Sequence, residues 1–150
     1  TGSNREPLWP NGIIGSISHC HGFAIAASGE NTNSKGIGID VENLVDTKTR
    51  QDILDHILNN DELSYLESAS LCSNEIFTAL FSAKESFFKA AFNDVGDYFG
   101  FEAISLVDIS DSLLTFRINR TLSGNLPKGN LIQVFFKPMR DKRVMTLCEL

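Results

Sequence analysis

One long amphipathic segment constrains the fold of this 150-residue chain more than any other feature. Ser73 or Asn74 can cap a helix that runs to about Phe92, because apolar residues recur at helical spacing. The broad apolar face consists of Ile76, Phe77, Leu80, Phe81, Phe87, Phe88 and Phe92. The opposite face is one narrow polar stripe, made of Thr78, Ser82, Glu85 and Lys89. Since aromatic residues flank the stripe, we expect it to be drier than a typical helix surface.

Short strand-like segments lie on both sides of this helix. Before it, residues 13–18, 23–27 and 36–42 are predicted strands, and residues 47–58 are a predicted helix. Asn60 and Asp61 can cap a short further helix through Leu63 and Leu66. After it, the predicted strands are residues 103–109, 113–119, 131–137 and 144–148, with turns at 124–125 and 138–141. This order predicts an α+β domain with a helical insertion between two strand-rich parts.

Composition limits the classes of function. The net charge is −6, and no apolar run reaches the roughly 18 residues of a membrane helix. The N-terminus lacks a signal-peptide pattern, and three widely spaced cysteines argue against a disulfide framework. We therefore expect a cytoplasmic protein that does not bind nucleic acid. The seven basic residues between positions 117 and 143 are either solvated strand edges or a docking surface for an acidic partner.

Two carboxylates two residues apart form the first candidate site. In a strand, Asp40 and Glu42 present their side chains on the same face. Two or three carboxylates that leave positions for water and phosphate are typical of Mg²⁺ sites. An acidic pair at an exposed strand end is the alternative. Glu85 and Lys89, one helical turn apart, are either an ordinary surface ion pair or part of the same site.

The pair Ser18-His19 at a strand end is the second candidate. The hydroxyl and the imidazole could donate hydrogen bonds to phosphate oxygens, although a core or turn histidine is the simpler interpretation. Cys20 and His21 suggest a metal site, but the sequence has no second Cys/His pair at zinc spacing.

Together these segments resemble the Sfp-type branch of the 4′-phosphopantetheinyl transferase superfamily. The resemblance rests on three motifs: Ile17-Ser18-His19, Gly38-Ile39-Asp40-Val41-Glu42, and the stretch from Phe81 to Lys89. It implies a pseudo-dimer of two α+β halves, with the end of the first half at about residues 1–35 and the second at about 36–150. It also implies a segment before residue 1 that is missing here.

The resemblance further implies transfer of 4′-phosphopantetheine from coenzyme A to a carrier-protein serine, with release of 3′,5′-ADP. Asp40, Glu42 and Glu85 would hold Mg²⁺, Glu85 would also deprotonate the serine, and Lys89 would stabilise or protonate the departing phosphate. Ser18, His19 and Lys84 would contact phosphates of coenzyme A. Arg5 would act for a lysine of the family, which is Glu6 here.

The implied partners are coenzyme A and an apo acyl, aryl or peptidyl carrier protein in siderophore (enterobactin-like) biosynthesis. The expected protein is a monomer, cytoplasmic, with or without peripheral contact with a membrane through a synthase complex. Two alternatives stay open: a non-catalytic relative or fragment that binds coenzyme A or a carrier, and a Mg²⁺-dependent phosphohydrolase that uses the same carboxylates.

Overall fold

The computed structural model describes residues 7–32 and 34–150. An N-terminal hairpin of β1 (Ile13–Cys20) and β2 (Phe23–Glu30) is followed by β3 (Ile37–Asn43). Three helices come next: α1 (Thr47–Ile57), α2 (Asn60–Ser68) and α3 (Asn74–Val95). A 3-10 turn (Phe101–Ala103) leads to β4 (Ile104–Ser110), β5 (Leu113–Ile118), β6 (Leu131–Met139) and β7 (Arg143–Glu149). The α+β class predicted from the sequence is confirmed.

The strands form two antiparallel sheets in the described part of the chain. The N-terminal hairpin is one, and the other is five-stranded in the order β3-β7-β6-β5-β4. The backbone partner of β3 in this sheet is β7, the last strand. The helices α1 to α3 and the strands β4 to β6 lie between the two in sequence. β3 and β7 therefore place residues that are far apart in sequence on one surface, under α3.

Two predicted boundaries were wrong. α2 is capped by Asn59 rather than by Asn60 and Asp61, because the Asn59 side chain and Glu62 form a reciprocal capping box. Pro138, predicted in a turn, continues β6, where it pairs with Val144 of β7. Proline has no backbone N–H to donate. It is tolerated there because β5 does not pair with β6 at this position, so no hydrogen bond between these strands is lost.

α3 packs directly on β3 because two glycines remove the side chains between them. A methyl group at Gly36 would overlap the backbone oxygen of Ala90. One at Gly38 would overlap the backbone oxygen of Ser86 and lie 2.7 Å from the backbone nitrogen of Ala90. The helix backbone thus touches the strand backbone, and the next residues on β3 lie within reach of the polar stripe.

The N-terminal hairpin covers the other edge of β3 through serine hydroxyls. The Ile39 N–H donates to Ser16 Oγ at 3.0 Å, and the Val41 N–H donates to Ser18 Oγ at 3.3 Å. Side-chain oxygens therefore satisfy backbone donors that a neighbouring strand would otherwise take. The strand that carries Asp40 and Glu42 is held on three sides, by β7, α3 and the hairpin.

Gly38→Ala tests the close packing of α3 on β3. The added methyl group overlaps backbone atoms of α3, which cannot rotate away as a flexible side chain could. We therefore expect destabilisation by about 2 kcal/mol or more, or failure to fold. The matched control is Gly29→Ala in β2, where a methyl group meets nothing within 4 Å. Urea unfolding compares the two variants with the parent chain. Equal stability of Gly38→Ala and the parent would contradict this account of the packing.

Candidate active site

β3 and α3 contribute four charged side chains that are close enough to affect one another's charge. Asp40 and Glu42 come from one face of β3, and Glu85 and Lys89 come from the polar stripe of α3. The Lys89 ammonium donates to Asp40 Oδ1 at 2.7 Å and to the Ile39 carbonyl at 3.2 Å. We call these four residues the acid–lysine cluster.

Asp40 is buried and almost fully engaged by donors. The Ser18 hydroxyl donates to Oδ1 at 2.7 Å, and Lys89 donates to the same oxygen. The Ser82 hydroxyl donates to Oδ2 at 2.7 Å and exchanges a hydrogen bond of 2.9 Å with Thr146 of β7. A buried carboxylate requires such partners, since burying an unpaired charge is costly.

Glu42 and Glu85 lie in an environment that disfavours their charge. Burial raises the pKa of Glu42 to about 7, and the negative charges of Asp40 and Glu85 add to this rise. The pKa of Glu85 is also raised, first by burial and then by Asp40. Lys89 opposes both shifts, but one ammonium does not balance three carboxylates.

The donor set of the cluster suits a divalent cation in its chemistry. Mg²⁺ prefers hard oxygen ligands, and the like charges of the three carboxylates would be relieved by a cation. Among residues 7–32 and 34–150, however, no three acidic, histidine or cysteine side chains lie together as a ready metal-binding group. Asp40, moreover, already accepts hydrogen bonds from Ser18, Ser82 and Lys89.

The other predicted coenzyme A contacts are placed differently from one another. Ser18 is buried, and its hydroxyl donates a hydrogen bond to Asp40 rather than facing an open phosphate site. His19, the next residue on β1, is exposed. Arg5 lies outside the described residues.

Lys84 does not join the acid–lysine cluster. The sequence prediction placed it beside a phosphate, but its side chain is 2% exposed and its ammonium lies 2.9 Å from Glu62 Oε1. It also donates to the Ile57 carbonyl at 2.7 Å. In this structure the Lys84 side chain therefore points towards α2 and the core, and its expected phosphate contact stays a prediction.

Sequence reasoning missed the partner of Lys84. Glu62, in the first turn of α2, is only 1% exposed. Its carboxylate accepts hydrogen bonds from the backbone N–H groups of Asn59 at 2.9 Å and Leu106 at 2.8 Å. The Glu at the third position of a capping box was the one signal available, and it predicts a cap rather than a buried ion pair.

A cavity of about 490 Å³ adjoins the cluster at Lys89, between the N-terminal hairpin and the C-terminal part of α3. Its volume lies in the range of small-molecule sites. Four aromatic residues line the cavity: Trp9, Phe88, Phe92 and Tyr98. Its polar lining residues are Ser16, Lys89, Asn93 and Asp97. The flanking phenylalanines were anticipated from the helix pattern, whereas Trp9 and Tyr98 were not.

Comparison with known proteins identifies the family. Residues 36–148 match the model of the 4′-phosphopantetheinyl transferase superfamily, and residues 1–29 match that of the 4′-phosphopantetheinyl transferase N-terminal domain. The chain belongs to the 4′-phosphopantetheinyl transferase superfamily. The resemblance seen in the three motifs is thus confirmed, and the chain is of the Sfp type.

Three relatives are similar to the chain over different shares of its length. Enterobactin synthase component D of Salmonella typhimurium is 31% identical over 146 residues, which cover 97% of this chain and 59% of that protein. The Escherichia coli K12 protein of the same name is 38% identical over 90 residues, 60% of this chain and 42% of the relative. The 4′-phosphopantetheinyl transferase PptT of Mycobacterium tuberculosis is 31% identical over 111 residues, 74% and 48% of the two chains. This transferase chain thus spans about three fifths of the Salmonella relative's length.

Among the helices of the described transferase residues, none combines the length and the apolar character needed to cross a membrane.

Glu42→Gln tests the electrostatic conflict in the cluster. Because the folded pKa of Glu42, about 7, exceeds its ordinary value of 4.5, ionisation of Glu42 lowers stability as pH rises from about 4.5 through 7. In metal-free buffer at pH 8 the variant should therefore be more stable than the parent, by on the order of 1–3 kcal/mol. At pH 4 the difference should vanish. Urea unfolding at both pH values measures it, with exposed Glu30→Gln as the control; a gain equal at both pH values would contradict the assignment.

Lys84→Met separates a structural lysine from a phosphate ligand. Removing one partner of a buried ion pair typically costs about 3–5 kcal/mol, because the other charge stays buried. We expect a loss of this order in urea unfolding, partly recovered when Glu62→Gln is added. Exposed Lys48→Met on α1 is the control. An unchanged stability, accompanied by weaker coenzyme A binding in calorimetry, would restore the phosphate role predicted from the sequence.

Proposed function

We propose that this chain carries the catalytic centre of a 4′-phosphopantetheinyl transferase, which moves the phosphopantetheine group of coenzyme A to a serine of an apo carrier protein. The observation that carries the proposal is the acid–lysine cluster, whose Lys89 also lines a cavity of small-molecule size. Membership of the superfamily supports the same reaction class.

The reaction needs one new bond and one broken bond. The carrier serine oxygen attacks the phosphorus that bears the pantetheine arm, and the bond from that phosphorus to the bridging oxygen breaks. 3′,5′-ADP is then the leaving group. Catalysis of such a transfer depends mainly on positioning and on stabilising negative charge, so no covalent enzyme intermediate is required.

Glu85 is the proposed base. Burial and the charge of Asp40 raise its pKa, which makes its carboxylate a better proton acceptor than an exposed glutamate. The serine proton passes to Glu85 as the oxygen attacks. Lys89, one turn along α3, is half-buried beside the cavity and is placed to neutralise or protonate the departing phosphate.

Asp40, Glu42 and Glu85 are the residues we propose to hold Mg²⁺. When bound, the ion supplies neutralisation of the charge on the diphosphate of coenzyme A. His19, exposed at the end of β1, and Arg5 are proposed contacts of the coenzyme A phosphates. Ser18 serves this site indirectly, through its hydrogen bond to Asp40.

For the pathway, we propose carrier proteins of siderophore synthesis. The support is the name of the relatives, enterobactin synthase component D, at about 30% identity. The basic stretch between residues 117 and 143 has a charge opposite to that of an acidic carrier helix, which is consistent with such a partner.

Glu85→Gln tests the proposed reaction. The chain is incubated with coenzyme A, MgCl₂ and an apo carrier protein, and the carrier is then weighed by mass spectrometry. The parent chain should add one phosphopantetheine mass, whereas Glu85→Gln should lose at least about 10²-fold in rate because the base is gone. Glu75→Gln, in the first turn of the same helix, is the matched control and should retain the parent rate.

Other outcomes of this assay have definite meanings. A parent chain that binds coenzyme A in calorimetry but leaves the carrier mass unchanged would favour a non-catalytic binding role. Release of phosphate from nucleotides without a carrier would favour a phosphohydrolase. A fully active Glu85→Gln variant would remove Glu85 from the mechanism.

A further inference from the structure

Lys89 stands where a cation would have to approach Asp40. Asp40 Oδ2 accepts from the Ser82 hydroxyl, which also bonds Thr146, and both of these residues are fully excluded from solvent. Oδ1 faces the more open side, where Lys89 is 26% exposed. On that side Oδ1 already accepts hydrogen bonds from Ser18 and Lys89, both at 2.7 Å. A carboxylate oxygen has about two acceptor positions, so Oδ1 has none left for a metal ion.

Glu42 and Glu85, the other two carboxylates of the cluster, differ from Asp40 in their hydrogen-bond partners. Within residues 7–32 and 34–150, neither Glu42 nor Glu85 is seen to accept a side-chain or backbone hydrogen bond, and both repel each other and Asp40. Lys89 is the cation that opposes this repulsion. Its ammonium contacts Asp40, however, and in the described part of the chain the two glutamates have no direct partner.

We infer that Lys89 is the resident counter-ion of Asp40 and competes with the divalent cation for it. Asp40 becomes a metal ligand only when Lys89 leaves Oδ1, and a phosphate group of coenzyme A is the partner that draws Lys89 away. This inference rests on the proposed function and adds an order to it: the glutamates take the cation first, and Asp40 completes the site as phosphate binds.

Ser18 and Ser82 keep Asp40 in place during this exchange. Each donates a hydrogen bond to a different oxygen of the carboxylate, so the group stays oriented after the ammonium departs. At Asp40 Oδ1 the contact with Lys89 is lost and a contact with the metal ion is gained. This exchange couples phosphate binding by Lys89 to metal binding by Asp40. By linkage, each of the two ligands strengthens the binding of the other.

A double-mutant cycle with Mn²⁺ alone tests the competition. The free Mn²⁺ concentration is followed by electron paramagnetic resonance for the parent, Asp40→Asn, Lys89→Met and the double variant. We expect Asp40→Asn to weaken binding by less than about threefold when Lys89 is present, and by more than about tenfold in the Lys89→Met background. Lys89→Met alone should tighten binding more than Lys128→Met, which removes the same charge from an exposed turn.

Equal effects of Asp40→Asn in the two backgrounds would overturn the inference, because the carboxylate would then ligate the metal with Lys89 in place. A parent chain that binds no Mn²⁺ would overturn it as well. Neither result decides the proposed function, which the carrier-mass assay measures separately. Circular dichroism of each variant verifies that it is folded.

The unmodified chain provides a second test that needs no variant. The side-chain ammonium resonance of Lys89 can be followed by nitrogen-15 NMR while Mg²⁺ is added. Saturation with Mg²⁺ and coenzyme A together should move this resonance or abolish its protection from exchange, since the contact with Asp40 is lost. A Lys89 signal that stays unchanged at saturation would overturn the inference.

Discussion

The contact between the backbones of α3 and β3 is the constraint on which the site depends. Gly38 and Asp40 lie on the same face of the strand, two residues apart. Because Gly38 brings the helix against the strand, the carboxylate of Asp40 meets Ser82 and Lys89 at 2.7 Å. A layer of side chains between helix and strand would increase these distances beyond hydrogen-bond range. The glycines therefore act on the chemistry through packing, without touching a substrate.

Asp40 of β3 is also the point at which the N-terminal hairpin and α3 meet. Ser18 reaches it from the N-terminal hairpin, and Ser82 and Lys89 reach it from α3. The hydroxyl of Ser18 additionally accepts the Val41 N–H, so one side chain both closes the edge of β3 and orients the carboxylate. The attachment of the hairpin and the geometry of the acid–lysine cluster consequently have the same physical origin. A change that loosens the hairpin is expected to disturb the cluster as well.

Those parts of the site that depend on local spacing could be predicted from the sequence. The two-residue period of β3 gave the shared face of Asp40 and Glu42, and the turn of α3 gave the Glu85–Lys89 pair. The α+β class followed from the alternation of patterns. The role of Glu62 could not be predicted, because its partner Lys84 is 22 residues away and only tertiary packing turns both inward. The engagement of Ser18 by Asp40 is likewise non-local and lies beyond what periodicity reveals.

Two lysines five residues apart on α3 have different surroundings, since one lies in the core and the other at the candidate site. Five helical residues correspond to a rotation of about 140°, so Lys84 and Lys89 project to different sides. Lys84 meets one carboxylate in a dry core, where its charge is matched and its hydrogen bonds are satisfied. Lys89 contacts Asp40 beside the cavity and only partly offsets the charge of Glu42 and Glu85, so negative charge stays uncompensated there. The first pair ties one side of α3 to α2, while Lys89 on another side of the helix contacts β3. A divalent cation would neutralise the excess negative charge of the carboxylates at this second site. Lys89 would then be free to bind a phosphate group.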